Sequence, residues 1–425
     1  MSRVVLHIGP PKTGTTAVQA SLDSSRKQLL EQGVSYLPET TQASLAAMSL
    51  TQRSDPSTGI RVPDEEWKSL AARISKSRSR TTIVSSEWLA AASEDHIARV
   101  RQMFISRDVQ IILTIRSLSA ILPSRWRQNV LEGATYGYEE WLHMVFNDRS
   151  SSQSQRFWHQ HRHDHLAQRW SRAFGMNNVH VIVVRENQPA FALEAIEEVL
   201  SVPKGTLKRD AAGANVSASD VVVEAVRLFN QRREQYGISR ALGYTAISRG
   251  ALMQLHRQQV GRSIADQLPT TYLDGLERES RQIASGLRIL GFPVYGDLDD
   301  LMEVKTVRTR PAEAMSVDSV AELIADVMIG QLRSLGLAVL NNNSSGSNPN
   351  GRPDGVDNGM LRGRRRRIAM LTHALLAARL SVLEIVGLVC NLGIQLTARL
   401  IRGILKIVNR PKKIHNSRRQ HDRLD

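Results

Sequence analysis

LHIGPPKTGTTAVQASL, Leu6 to Leu22, sets an apolar run, a glycine-rich turn and the start of a helical period in immediate succession. Gly9 and Gly14 keep the glycine spacing of a phosphate-cradling loop, yet in that loop a lysine directly follows the second glycine. Here Thr15 holds that position, and the only lysine of the stretch is Lys12, two places before Gly14. Glycines let the backbone curl closely around an anion, and a helix N-terminus offers it free N–H groups and a positive dipole end. Lys12 adds a point charge, while Thr13, Thr15 and Thr16 add hydroxyl donors.

Working outward, four β-branched runs stand out: Val4 to Ile8, Thr81 to Ser85, Val109 to Ile115 and Val179 to Val184. None alternates clearly, as expected of strands covered on both faces in a parallel sheet. Helical periods lie between them, such as Thr16 to Glu31 with Val18, Leu22 and Leu29 on one side and Gly33 as a stop. Strands alternating with helices predict a three-layer α/β fold with a parallel sheet, in which ligands bind beyond the carboxyl ends of the strands. The glycine loop sits at such an end. No internal repeat is apparent.

A second station follows the third run. Arg116 closes that strand and Ser124 comes eight residues later, in or just before the next helix. A guanidinium fork with a hydroxyl suits a terminal phosphate monoester. By itself an arginine ending a strand reads equally well as a surface charge or an ion-pair partner.

Together, Gly9, Lys12, Thr13, Gly14, Thr15 and Thr16 resemble the 5′-phosphosulfate loop of sulfotransferases, and Arg116 with Ser124 resembles their 3′-phosphate motif. VSSEWL (Val84 to Leu89), LAQRWSRAFG (Leu166 to Gly175) and NVSASDVVVEAVRLFN (Asn215 to Asn230) are similar to segments of bacterial members of that family. The resemblance spans about residues 3 to 235. It departs at Ser117-Leu118, where Asp-Pro is usual, and an Arg-Lys-Gly segment of the eukaryotic cytosolic enzymes is not apparent. The resemblance implies 3′-phosphoadenosine 5′-phosphosulfate as sulfuryl donor, held by Gly9, Pro11, Lys12, Thr13, Gly14, Thr15, Thr16, Arg116 and Ser124, with no metal. A transferring sulfuryl group carries less charge than a terminal phosphoryl group, so the post-glycine lysine and a bridging magnesium are not required. Lys12 would neutralise charge at the bridging oxygen, loop amides would hold the sulfuryl oxygens, and Thr15 and Thr16 would contact the 5′-phosphate. The acceptor needs a base, in the resemblance a glutamate or histidine. Glu39, where many bacterial relatives carry a histidine, and Glu87, just past the second run, compete for that role with a base elsewhere.

Other features read more plainly. HQHRHDH alternates His159, His161, His163 and His165, and pairs four apart would share a helix face, but nothing completes a metal site, so a solvated segment leading into a helix is expected. Asn215-Val216-Ser217 fits a glycosylation acceptor only outside a cytoplasmic setting. Trp88, Trp126, Trp141 and Trp170 are expected in the core rather than as sugar platforms. Arg185 and Glu186 end the fourth run, facing the cleft or pairing with neighbours. Residues 240 to 340 carry no readable motif and either complete the acceptor side or pack as peripheral helices.

At 425 residues the chain has room for a large α/β domain over 1–340. A single cysteine, Cys390, excludes an intrachain disulfide, and MSRVV leads into the loop without a long apolar stretch, so a reducing cytoplasmic setting is expected. The net charge of +15 is concentrated in a tail: Leu361 to Asp425 holds fifteen Lys and Arg against three Asp and Glu, leaving only +3 for the first 360 residues. That distribution argues against a nucleic-acid groove on the body. Residues 341–366, rich in Asn, Ser and Gly and ending in RGRRRR, read as a flexible linker with a basic end. Across 367–425, His373, Ser381, Glu384, Asn391, Gln395, Arg399, Arg402 and Lys406 trace a narrow polar stripe on an otherwise apolar helix. With its basic flanks this tail fits an in-plane anchor on anionic lipid, or else a face that joins a second copy of the chain or another partner; Arg379 and Glu384 disfavour a membrane span.

The expected activity is sulfuryl transfer to a hydroxyl or amine of a carbohydrate or glycolipid. Two rivals remain: a P-loop kinase, which lacks its lysine after Gly14 and an evident metal-holding Asp, and a catalytically inactive nucleotide-binding scaffold recruited to membrane.

Overall fold

The computed structural model describes residues 2–40, 43–185, 187–208, 220–235, 237, 239–246 and 268–304. The chain divides into two units, Met1–Asn343 and Ser344–Asp425, and the described residues all belong to the first. The linker, the basic tail, Cys390, Glu186 and the Asn215-Val216-Ser217 triplet lie outside the described residues.

Six strands form one parallel sheet: β1 (Arg3–His7), β2 (Val34–Leu37), β3 (Thr81–Ser85), β4 (Asp108–Ile115), β5 (Val179–Val183) and β6 (Val294–Tyr295), in the order β2-β3-β1-β4-β5-β6. The four β-branched runs are the four inner strands. The edges β2 and β6, four and two residues long, carry too little pattern to stand out in the sequence.

One face of the sheet packs Val5, Ile83, Ile112 and Ile182 against α1 (Thr15–Ser24), α2 (Arg26–Glu31) and α10 (Pro189–Leu200). Val18, Leu22, Leu29 and Ile196 supply the helical side of that layer. The expected single helix over Thr16 to Glu31 is instead two, because Ser25 leaves the helical region (φ −102°, ψ 13°) to close α1 and begin α2. The other face, with Leu6, Val84 and Leu113, is covered by α3 (Ser44–Leu50), α4 (Glu65–Lys76), α5 (Glu94–Met103), α6 (Leu118–Leu131), α7 (Tyr138–Phe146), α8 (Ser152–His161) and α9 (His163–Phe174). α11 (Asp220–Gln235) and α13 (Leu273–Leu290) add to that layer, and α12 (Arg240–Ala246) packs on α11.

Chain order creates a crevice. From β1 the chain crosses toward β2 and β3 on one side of the sheet, and from β4 it continues toward β5 on the other. The loops after β1 and β4 therefore diverge at the carboxyl ends of two adjacent strands, which is where doubly wound sheets bind ligands.

The histidine-rich segment corrects its expectation. α8 and α9 meet at Arg162, and His161 and His163 are fully buried there rather than solvated; among the described residues no three His, Cys, Asp or Glu side chains are grouped to hold a metal. Trp126, Trp141 and Trp170 are buried, whereas Trp88 is half-buried. Arg185 pairs with Asp300. Among the described residues no helix is long and apolar enough to cross a membrane.

Candidate active site

The loop between β1 and α1 is built on a small buried polar lattice. His7, at the end of β1, contacts the Ser85 hydroxyl through Nδ1 (2.8 Å) and the Thr114 hydroxyl through Nε2 (3.1 Å). Thr114 in turn meets the Thr13 hydroxyl at 3.1 Å, and Thr13 donates to the Pro10 carbonyl at 2.7 Å. Burial drives His7 down to about 3, so it stays neutral and serves as a hydrogen-bonding pillar. Gly9 lies directly on this lattice: a Cβ there would stand 2.1 Å from Thr114 Oγ1, 2.8 Å from Thr15 Oγ1 and 2.9 Å from His7 Nε2.

Above the lattice the backbone is bent to face outward. Lys12 sits at φ 72° and Gly14 at φ 85°, and the non-glycine outlier marks a position whose strain the surrounding fold sustains. The amides of Gly14, Thr15 and Thr16, at the start of α1, have no backbone acceptor among the described residues, because the first turn of a helix has no carbonyl behind it. Of the three hydroxyls expected to face an anion, Thr13 and Thr15 turn inward, Thr15 donating to the Gly9 carbonyl at 3.1 Å, and Thr16 remains exposed. Pro11 is buried beneath the turn.

The loop after β4 joins this cradle. Arg116, half-buried at the strand end, donates from Nη1 to the Lys12 carbonyl at 3.3 Å. Ser124 lies two turns along α6, half-buried, and its hydroxyl has no partner among the described residues. The same helix holds the lysine: Lys12 Nζ donates to Gln128 Oε1 at 3.0 Å, Gln128 Nε2 donates to Glu132 Oε1 at 3.0 Å, and Arg125 approaches Glu132 at 3.7 Å. Arg125, Gln128 and Glu132 are spaced three and four apart, so one helix face carries the chain of contacts.

The two candidate bases part company here. Glu87 opens a short 3₁₀ turn (Glu87–Ala91) after β3, beside β1, capped by Ser86 and tied to α9 by Arg169, which donates to the Ala90 carbonyl at 3.3 Å. Burial pushes its carboxyl up from the ordinary value, with Arg125 and Lys12 pulling it back. Burial likewise pulls the Lys12 ammonium down, Glu87 opposing and Arg125 adding to the fall. Each appears among the charges acting on the other, so Glu87 and Lys12 share one site. Glu39 is exposed and paired with Arg73 of α4. Desolvation raises its carboxyl, but hydrogen bonds from its own backbone and from Arg73 outweigh that and hold it low, which suits an ion-pair partner more than a base.

Sequence reasoning missed His7, Arg125, Gln128 and Glu132. A helical wheel over the residues after Ser124 would have aligned the last three; a histidine inside an apolar strand was a signal for the first.

The sequence matches no family model and no curated protein. Among solved structures it is similar to a sulfotransferase from Alicyclobacillus acidocaldarius, at 16% identity, covering 55% of this chain and 94% of that one, with a TM-score of 0.33. Likeness at that level bears no weight on the activity of this chain.

Proposed function

We propose that this chain is a sulfotransferase that moves a sulfuryl group from 3′-phosphoadenosine 5′-phosphosulfate to a hydroxyl or amine of a carbohydrate or glycolipid. One observation carries the reading: a strained, glycine-dependent cradle at the sheet's crevice brings Lys12, outward-facing amides and Arg116 together, with Glu87 as the neighbouring carboxylate. Those residues fit the donor's two anionic ends. The amides of Gly14, Thr15 and Thr16 would hold the 5′-phosphosulfate, and Arg116 with the hydroxyl of Ser124 the 3′-phosphate.

The donor supplies an electrophilic sulfur: the acceptor's lone pair forms a bond to it as the bond to the bridging oxygen breaks and the bisphosphate leaves. Glu87 takes the acceptor's proton, its raised carboxyl matching a base that works near neutrality. Lys12 sets positive charge where the leaving oxygen becomes negative, held for that task by Gln128. The place directly after Gly14, where a phosphoryl-transfer loop carries its lysine, is held by Thr15, whose hydroxyl turns to the Gly9 carbonyl. The basic charge of Leu361 to Asp425 supports placing the enzyme on anionic lipid, where a glycolipid acceptor is at hand; deletion of that tail should release the protein from anionic vesicles.

Calorimetric titration with adenosine 3′,5′-bisphosphate, without magnesium, tests the donor site. Lys12→Ala and Arg116→Ala should each weaken binding by about tenfold or more, the loss of a charge-assisted contact. Absence of binding by folded wild-type protein, or magnesium-dependent binding of a nucleoside triphosphate instead, sinks the reading in favour of the scaffold or the kinase.

A further inference from the structure

We propose that the acceptor side of this site is an anion-binding cleft, in which Arg53, Arg125 and Arg156 receive a carboxylate, sulfate or phosphate group that the acceptor carries beside its reacting hydroxyl or amine. The inference rests on the sulfotransferase reading and narrows its acceptor to an anionic one.

Three guanidinia from three separate elements lie around Trp88 and Tyr136. Arg53, just past α3, lies over the ring of Trp88, the residue following Glu87, at 5.7 Å. Arg125, on the face of α6 that holds Lys12, is only 12% exposed at its side chain. Arg156 stands on α8 one turn after Gln153, which accepts a hydrogen bond from the Tyr136 hydroxyl at 3.2 Å. Tyr136, half-buried, sits in the field of both Arg125 and Arg156, and burial pushes its hydroxyl up to about 12. Burial is also the main reason that Arg53 is lowered from its ordinary value, and Arg156 and Arg125 lower it further.

The compensation is incomplete. Glu132 is the sole carboxylate paired with Arg125 among the described residues, at a long 3.7 Å, and it also receives Gln128. Arg53 and Arg156 have no ion pair among the described residues. Like charges held together in a half-buried cleft repel and lose hydration, a cost that an incoming anion offsets. Guanidinium forks match planar carboxylate and tetrahedral sulfate or phosphate alike. Arg156 is exposed and Trp88 half-buried, so the cleft is open to such a ligand.

The test is a saturation-transfer NMR titration on the full chain loaded with adenosine 3′,5′-bisphosphate. The probes are methyl glucoside and its counterparts bearing a carboxylate (methyl glucuronide), a 6-sulfate or a 6-phosphate. At least one charged probe should bind about tenfold or more tighter than the neutral parent, as charge-assisted bonds are stronger than neutral ones. The three charged arms identify which anion the cleft prefers. Arg53→Gln and Arg156→Gln should each erase most of that preference while leaving the bisphosphate affinity unchanged; Arg156, being exposed, gives a variant that folds even if Arg53→Gln does not. Equal binding of neutral and charged probes, no binding of any, or a preference that survives both substitutions overturns the anionic acceptor alone. A loss of bisphosphate affinity in Arg53→Gln comparable to that of Lys12→Ala assigns the cluster to the donor and overturns it too. Failure of wild-type protein to load with the bisphosphate overturns the donor reading and this inference with it.

Discussion

Gly9 and Gly14 are both glycine for reasons the structure separates, and a small double-mutant cycle tests the separation. At Gly9 the obstacle is space. An added Cβ meets Thr114 Oγ1 at 2.1 Å, far inside contact distance, so either the loop lifts or Thr114 turns and abandons His7 and Thr13. Forcing a methyl into such a packed place costs about 1–3 kcal/mol. At Gly14 the nearest atom is Val184 Cγ1 at 3.6 Å, ordinary contact, and the obstacle is only φ +85°, worth about 1–2 kcal/mol to a residue with a Cβ. Thr114→Ala by itself strands the buried His7 Nε2 and removes one of the two contacts of Thr13 Oγ1, which keeps its bond to Pro10, at about 1–3 kcal/mol. Combined with Gly9→Ala, however, it removes the oxygen that collides with the new methyl. The double variant should therefore be less destabilised than the two single losses together by about 1 kcal/mol or more, while Gly14→Ala with Thr114→Ala should add within about 0.5 kcal/mol. Urea unfolding followed by tryptophan fluorescence, with energies from the midpoint and slope, supplies the numbers. Additive losses for Gly9→Ala and Thr114→Ala would mean that the loop does not rest on the His7–Thr114–Thr13 lattice, and the account of the cradle would fall.

Four further outcomes follow from the site. Glu87→Gln should lower kcat by about 10²- to 10⁴-fold, the range for a lost general base, with bisphosphate binding little changed; a variant retaining most of its kcat would remove Glu87 from the chemistry. Because burial raises Glu87 and lowers Lys12, wild-type activity should appear as pH rises through a value above the usual carboxylate range and fade below the usual lysine range, and the acid limb should vanish in Glu87→Gln, as pH–rate profiles would show. Glu39→Gln should leave kcat within about twofold and cost under about 1 kcal/mol, since an exposed pair with Arg73 is worth little. Finally, His7 at about 3 and His163 at about 4 are neutral in the fold but protonate near 6.5 when unfolded, so their contribution is whole above pH 6.5 and is lost as pH falls toward those values. Each steepens acid unfolding by up to about 1.4 kcal/mol per pH unit, and His7→Gln should flatten the slope seen in urea titrations between pH 6 and 4.

Local chemistry was written in the chain. The apolar runs of β1, β3, β4 and β5, the spacing of Gly9 and Gly14, Lys12 between them and the helical period beginning at Thr15 or Thr16 are all short-range patterns, set by backbone torsions and by the burial of one segment at a time. From them follow the α/β class, the parallel sheet and the loop at a strand's carboxyl end. The break at Ser25 and the edge strands β2 and β6 escaped, because a single residue's torsion or a two-residue strand makes no periodicity. Partnership across the chain was beyond reach for a different reason. Whether Glu39 or Glu87 stands beside Lys12 depends on which strand neighbours β1, and the order β2-β3-β1 sends Glu87 to the lysine and leaves Glu39 to Arg73. The inward turn of Thr13 and Thr15, the pillar under Gly9 and the gathering of Arg53, Arg125 and Arg156 around Trp88 and Tyr136 all depend on contacts between segments distant in the chain. Such contacts exist only once the layers have packed, since no local preference specifies which side chains two elements will bring face to face.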